Sequence, residues 1–208
     1  MAVWVGVDVG AKRKGFDVAV IDDRRLLELQ SHLNCRQVVD LVVGNRPAVV
    51  AIDSPRSCAP EGQTARDGEL RLAKSICGIR WTPDAARVQA SAYYAWILEG
   101  FALYRALAAH GVEAIEVFPT ASWTRWRGKR GSRTRAVWTR QGLAALGLES
   151  VPAHTNQDQR DAIAAAVTAR LDSLALTETM GDIVVPTGPL VTSNRPEVNP
   201  AALAESPA

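Results

Sequence analysis

The chain has few cysteines and no long apolar run, and each shortage argues against a class of protein. Its three cysteines are odd in number and show no C-x-x-C spacing, which argues against a disulfide framework or a cysteine zinc site. No apolar stretch approaches the roughly 20 residues of a transmembrane helix, and no cleavable leader precedes the first apolar segment. We therefore expect a cytoplasmic protein without a membrane partner.

Net charge is also low, at +2, but the charges are unevenly spread. Residues 124–140 carry seven basic residues and no acidic one, which leaves 17 basic against 22 acidic residues elsewhere. A basic patch on an otherwise acidic protein indicates a polyanionic partner. Two glycines in the segment suggest a mobile loop, which we predict contacts nucleic acid through Arg125, Trp126, Arg127, Lys129 and Arg130. The alternative is that the tryptophans are core residues beside a solvated charged turn.

The order of apolar segments and turns predicts one α/β domain. A length of 208 residues with 47% hydrophobic content is enough for a full core. We predict a five-stranded mixed sheet, a three-stranded antiparallel meander joined to two parallel strands, with helices on both faces. This order resembles the RNase H-like fold, whose first and fourth strands are parallel and central. The domain would span residues 1–186, followed by a disordered C-terminal tail over residues 187–208.

Two aspartates end apolar segments that otherwise read as buried strands. Asp8 and Asp53 would be costly there as ionised groups unless each is paired or holds a cation. Gly6 and Gly10 share the face of Asp8 on the pleat and leave room beside its carboxylate. The pair therefore suggests a divalent-metal site. The alternative is that each aspartate only caps the turn that follows it.

Three further acids fall in later elements. Asp158 and Asp161 are three residues apart in a predicted helix over residues 157–176, so they share one face. The positive end of the helix dipole also favours acids there, so a purely local role is the alternative. Glu116 lies in a predicted strand over residues 112–118. It is either a catalytic base or metal ligand, or an ion-paired structural residue.

Such a carboxylate set fits two-metal phosphodiester chemistry. Mg²⁺ or Mn²⁺ takes oxygen ligands, and two ions about 4 Å apart can activate water and stabilise the leaving oxygen. Asp8 would bridge the ions, with Asp53 and Asp161 as the further metal ligands. The basic turn beyond Asp8 would contact a substrate phosphate, or is merely solvated, through Lys12, Arg13 and Lys14.

These motifs together resemble a bacterial and archaeal domain-of-unknown-function family of predicted nucleases with an RNase H-like fold. The resemblance rests on residues 6–10, 51–55, 66–71, 78–83, 116–119 and 158–162. More distantly, the chain is similar to RuvC-type and YqgF-type resolvases, which carry Glu where Asp53 stands here. The resemblance implies a metal-dependent nuclease that hydrolyses DNA or RNA.

Two other functions remain open from the sequence. A non-catalytic nucleic-acid-binding or interaction module could keep the same fold and the same acids. A phosphate-binding enzyme of the actin and sugar-kinase type shares the glycine-flanked first strand. That type needs a second such domain and a second glycine-rich turn, which this chain lacks.

Overall fold

The computed structural model describes residues 2–11 and 13–189, and one mixed sheet forms its centre. Lys12 and residues 190–208, most of the predicted tail, lie outside the described residues. The sheet has the strand order β3-β2-β1-β4-β5-β7-β6. Its strands are Trp4–Val9 (β1), Phe16–Ile21 (β2), Leu26–Leu33 (β3), Val49–Asp53 (β4), Ala114–Val117 (β5), Thr177–Met180 (β6) and Ile183–Pro186 (β7).

The predicted pairing of the first five strands is confirmed, but the predicted number of strands is wrong. β1, β2 and β3 form an antiparallel meander, and β4 and β5 run parallel to β1. A C-terminal hairpin adds two strands, because β7 pairs in parallel with β5 and β6 pairs with β7. β6 has four residues and no alternating apolar pattern, so sequence periodicity gives no signal for it.

Helices cover both faces of the sheet, as predicted. Asn156 caps the longest of them through a capping box with Gln159, which the sequence indicates. The helices are Cys35–Asn45 (α1), Asp67–Ser75 (α2), Ala85–Ala90 (α3), Ala95–Ala109 (α4), Pro119–Arg127 (α5), Arg135–Ala145 (α6) and Gln157–Ser173 (α7), with a short 3-10 turn at Ala92–Tyr94. In the described part of the chain, none of these is long and apolar enough to cross a bilayer.

The pleat of β1 divides the core into two layers. Val5 and Val7 pack with apolar residues of α1 and α4 on one face. Trp4 and the alanine-rich stretch 162–166 of α7 belong to the layer on the other face. The sheet therefore lies between two layers of helices.

Gly6 sets how closely α7 approaches the sheet. A Cβ at this position would lie 2.1 Å from the backbone oxygen of Ala162 and 2.1 Å from the backbone nitrogen of Ala166. The space that the sequence suggests beside Asp8 is therefore filled by helix backbone. The first turn of α7 consequently lies beside the carboxyl end of β1.

Candidate metal and nucleic-acid site

Three aspartates lie side by side at one edge of the sheet. Asp8 on β1 is the register partner of Asp53 on the parallel strand β4 and of Asp17 on the antiparallel strand β2. Asp8 and Asp17 are buried, and Asp53 is partly buried. The predicted juxtaposition of Asp8 and Asp53 is therefore present, with Asp17 as an additional acid.

The first turn of α7 brings two more acids to the same place. One oxygen from each of Asp8, Asp17 and Asp158 lies within 4.8 Å of the other two, a spacing that a single metal ion could span. Asp161 is buried one turn further along the helix and lines the same cleft as Asp53. The five aspartates thus meet where β2, β1 and β4 face the start of α7.

Crowding of these acids shows in their pKa values. Burial, followed by repulsion from Asp161 and Asp158, raises the pKa of Asp8 well above 3.8. Burial, followed by repulsion from Asp8 and Asp161, does the same to the pKa of Asp53. Among residues 2–11 and 13–189, no hydrogen-bond donor or cationic side chain contacts either carboxylate. A bound cation would relieve both effects.

Asp161, in contrast, already has several partners. Arg135 Nη2 lies 2.8 Å from its Oδ2, and Trp123 Nε1 donates to Oδ1 at 3.0 Å. Gln157 Nε2 donates to both carboxylate oxygens at 3.1 and 3.0 Å. Burial still raises the pKa of Asp161 despite the neighbouring Arg135. The helix acid is therefore oriented by its surroundings, and its predicted role as a metal ligand stays a prediction.

Glu116 is held in an ion-paired cluster. Arg66 binds it with two hydrogen bonds, Nη1 to Oε2 at 2.8 Å and Nη2 to Oε1 at 2.5 Å. The backbone N–H of Arg56 donates to Oε2 at 2.9 Å, and Arg66 also pairs with Glu69 at 3.1 Å. Of the two roles open from the sequence, the geometry corresponds to the ion-paired structural residue, although Glu116 also lines the cleft.

The acids form the floor of a cleft of about 1010 Å³. Lys14, Lys129 and Arg130 line it, and Lys14 Nζ pairs with Asp158 Oδ2 at 2.6 Å. Arg127 is exposed at the end of α5, whereas Arg125 is partly buried and paired with Glu178 on β6. The predicted nucleic-acid contacts therefore differ in availability.

Lys12 and Arg13 precede Lys14 in the basic turn after β1. Lys12 lies outside the described residues. Arg13 is exposed and lines a smaller depression beside His32 rather than the main cleft. Only Lys14 of this turn reaches the acids in the part of the chain that the structure describes.

Trp126, predicted to contact nucleic acid, is a buried core residue in the structure. Trp126 is only 6% exposed and packs edge to face against Trp123, with ring centroids 5.3 Å apart. Trp138 is buried in the same core layer. The predicted loop is also shorter than expected, because α5 extends to Arg127 and α6 begins at Arg135. Both helices place their tryptophans against α7, which is the alternative considered from the sequence.

Sequence analysis missed Asp17 and Arg66, and assigned Arg135 no role at the acids. The signal for Asp17 was available, since a six-residue turn between β1 and β2 places it opposite Asp8. Arg66 and Arg135 reach their acids across 50 and 26 residues of sequence, so no local pattern points to either contact.

Comparison with known proteins gives structural neighbours only. No family model matches the chain, and no curated protein matches it, so the resemblance to the family of predicted nucleases stays a prediction. The solved structures include Thermus thermophilus RuvC, 18% identical over 83% of this chain and 96% of that chain, with a TM-score of 0.48. T. thermophilus RuvC in complex with a Holliday junction substrate gives the same identity and TM-score over 84% and 96%. Similarity at this level leaves the activity to be inferred from the chain's own side chains.

Proposed function

We propose that the protein is a metal-dependent nuclease that hydrolyses phosphodiester bonds of DNA or RNA. The observation that carries the proposal is the meeting of four aspartates on the floor of a cleft with cationic side chains on its walls, and a fifth, Asp17, buried beside Asp8. A polyanionic substrate is attracted by the walls, whereas the floor on its own would repel it. A polyanion can approach these acids only if bound cations neutralise their negative charge.

The donor set fits Mg²⁺ or Mn²⁺. All the candidate ligands are carboxylate oxygens, which these ions prefer, and among the described residues no cysteine or histidine joins the group of Asp8, Asp17 and Asp158. The raised pKa values of Asp8 and Asp53 reflect burial and repulsion that outweigh the opposing effects of Lys14 on Asp8 and of Arg135 on Asp53. Asp8 and Asp53 would hold the metal, with Asp161 from the helix as the further predicted ligand and Asp158 beside it.

Bound metal would supply an activated water and charge stabilisation at the phosphate. The protein's own residues supply the positioning. Gln157 and Trp123 fix the orientation of Asp161 through their hydrogen bonds. Lys129 and Arg130 line the cleft and would bind the phosphates that flank the reacting one. The Glu116–Arg66 pair holds the backbone at Arg56, close to the end of β4.

A nuclease panel tests the proposal. Single- and double-stranded DNA and RNA would be incubated with the wild-type protein and Mg²⁺ or Mn²⁺, with EDTA as a control. We expect cleavage that Asp8→Asn lowers by about 1000-fold, since several kcal/mol of metal-derived stabilisation would be lost. Asp40→Asn, an exposed acid on α1, is the matched control and should cleave like wild type. Cleavage that survives EDTA and Asp8→Asn would contradict the metal mechanism.

One observation favours a second candidate, a nucleic-acid-binding module without catalysis. Lys14 pairs with Asp158 and Arg135 pairs with Asp161, so the negative charge of these two helix acids is already neutralised without a metal ion. Such a module would bind oligonucleotides with the same affinity in Mn²⁺ and in EDTA and would cleave none of them. The sugar-kinase alternative lacks support, because the described residues form one sheet rather than two domains.

A further inference from the structure

We propose that Asp17 is a metal ligand and that a divalent cation binds between Asp8, Asp17 and Asp158. The inference rests on the proposed function, since it names ligands for a metal on which the nuclease would depend. It changes the expected ligand set, in which the partners of Asp8 are Asp53 and Asp161.

The distances suit one ion. Ligand oxygens of the three aspartates lie within 4.8 Å of one another. A cation with bonds of about 2.0–2.6 Å separates its ligand oxygens by at most about 5 Å. The three acids come from β1, β2 and the first turn of α7, so three separate elements converge on the same point.

Asp8 gives an independent indication that this point holds a ligand. Asp8 is only 9% exposed and faces the cleft, between Asp17 and Asp53 on the neighbouring strands. Within the described ranges, no donor or cationic side chain contacts its carboxylate. A buried carboxylate without a partner is costly, and a bound cation removes that cost.

Lys14 acts as the cation that a metal would replace. Its ammonium lies 2.6 Å from Asp158 and also lowers the pKa of Asp8 and of Asp17, against the larger effect of burial. The side chain is 48% exposed and extends from the turn after β1, so it can leave without disturbing the core. Once displaced, it would be free to bind a substrate phosphate at the mouth of the cleft.

Asp17 is held in position by a short chain of hydrogen bonds. Ser31 Oγ on β3 donates to Asp17 Oδ1 at 2.5 Å, and Gln159 Nε2 donates to Ser31 Oγ at 3.0 Å. Gln159 also forms the capping box at the start of α7. The same contacts therefore orient Asp17 and fix the helix turn that carries Asp158. Ser31 is a positioning residue in this arrangement.

Metal binding without nucleic acid tests the assignment. Mn²⁺ affinity would be measured by calorimetry, and by the rise in Tm that Mn²⁺ produces, in four purified variants and wild type. We expect Asp17→Asn to weaken binding at least about 10-fold and Ser31→Ala to weaken it less. Lys14→Gln should strengthen binding several-fold, because it removes the competing cation. Asp40→Asn is the matched control and should bind like wild type.

A cation bound at this site predicts opposite changes in Mn²⁺ affinity, a loss in Asp17→Asn and a gain in Lys14→Gln. Wild-type affinity in a folded Asp17→Asn protein would overturn it, as would weaker binding in Lys14→Gln. If Asp17→Asn fails to fold, Ser31→Ala and Lys14→Gln still decide between the outcomes.

Cleavage assays separate this inference from the proposed function. Mn²⁺ binding that depends on Asp17, in a protein that cleaves no nucleic acid, would keep the site and reject the nuclease. If wild type and Asp17→Asn cleave equally and require the same Mn²⁺ concentration, the nuclease is kept and the metal site at Asp17 is rejected.

Discussion

Two groups of acids lie at the same edge of the sheet and have opposite surroundings. Glu116 on β5 accepts two hydrogen bonds from Arg66 and one from the backbone of Arg56. Asp8 on β1 and Asp53 on β4 receive no such contact in the part of the chain that the structure describes. Burial at a strand end is common to all three. The presence or absence of an internal partner is what separates an acid that holds the fold together from one that is available to a ligand.

In the paired group, Glu69 and Glu116 both have Arg66 as an internal partner. Glu69 is 1% exposed and accepts hydrogen bonds from the side chain of Arg66 and from the backbone N–H of Thr82. Arg66 therefore joins the start of α2 to β5 and to the loop before α3. An acid in such a cluster has little freedom to take up a metal, because its removal would leave a buried arginine unbalanced.

The largest effect should come from breaking the paired group. We expect Arg66→Met to lower the free energy of unfolding by about 3–5 kcal/mol, since it leaves Glu69 and Glu116 buried without a cation. Asp8→Asn should cause no loss, because it removes a charge that lacks a partner. Urea denaturation in EDTA measures both. Equal destabilisation by the two variants would remove the distinction between the groups.

A smaller effect should appear in the pH dependence of stability without metal. The pKa values of Asp8 and Asp53 are raised on folding, so the folded state keeps protons that the unfolded state releases. The stability that these groups contribute is therefore fully present below pH 3.8 and is lost as the pH rises towards their folded pKa values. The free energy of unfolding falls by up to about 1.4 kcal/mol per pH unit for each proton.

Asp8→Asn should make this decline shallower, and saturating Mn²⁺ should reverse it, because the metal binds the ionised form. Denaturation curves collected from pH 4 to pH 8, with and without Mn²⁺, measure the slope. A slope that is the same in wild type and Asp8→Asn would show that the unpartnered acids do not control it.

The smallest effect concerns the basic wall of the cleft. Replacing Arg127, Lys129 and Arg130 with Ala should weaken oligonucleotide binding and flatten its salt dependence by about 0.7–0.9 per lost phosphate contact. Arg125→Ala is the matched control, since Glu178 already neutralises Arg125 and little change is expected. Fluorescence anisotropy over a salt series, on the Asp8→Asn background, reports the slope. A slope altered more by Arg125→Ala than by the triple substitution would place the phosphate contact at Arg125 instead.

Sequence periodicity was sufficient for the centre of the fold. The apolar segments that end in Asp8 and Asp53 predicted two buried strands, and the resemblance of the element order to the RNase H-like fold predicted their parallel pairing. The capping box at Asn156 located the start of α7, and with it Asp158 and Asp161. These features are local, so one stretch of chain carries the whole signal.

The parts that sequence analysis missed depend on contacts across the fold. The strand β6, and the pairing of β7 with the edge of β5, depend on contacts that no local pattern shows. Trp126 was expected at the surface because basic residues surround it, yet helix periodicity turns its ring inward while Arg127 beside it stays exposed. The partners of Glu116 and Asp161 come from distant segments for the same reason.

Gly6 has a consequence for which ion the cleft can hold. With no side chain there, the backbone of α7 touches β1, and the separation of Asp8 from the acids of the helix is fixed by two backbones rather than by flexible side chains. Mg²⁺ and Ca²⁺ differ by only a few tenths of an ångström in bond length. If the cleft holds a metal ion, position 6 would affect which ion fits. A methyl group added there would push α7 away from β1 and increase the distance from Asp8 to the acids of the helix.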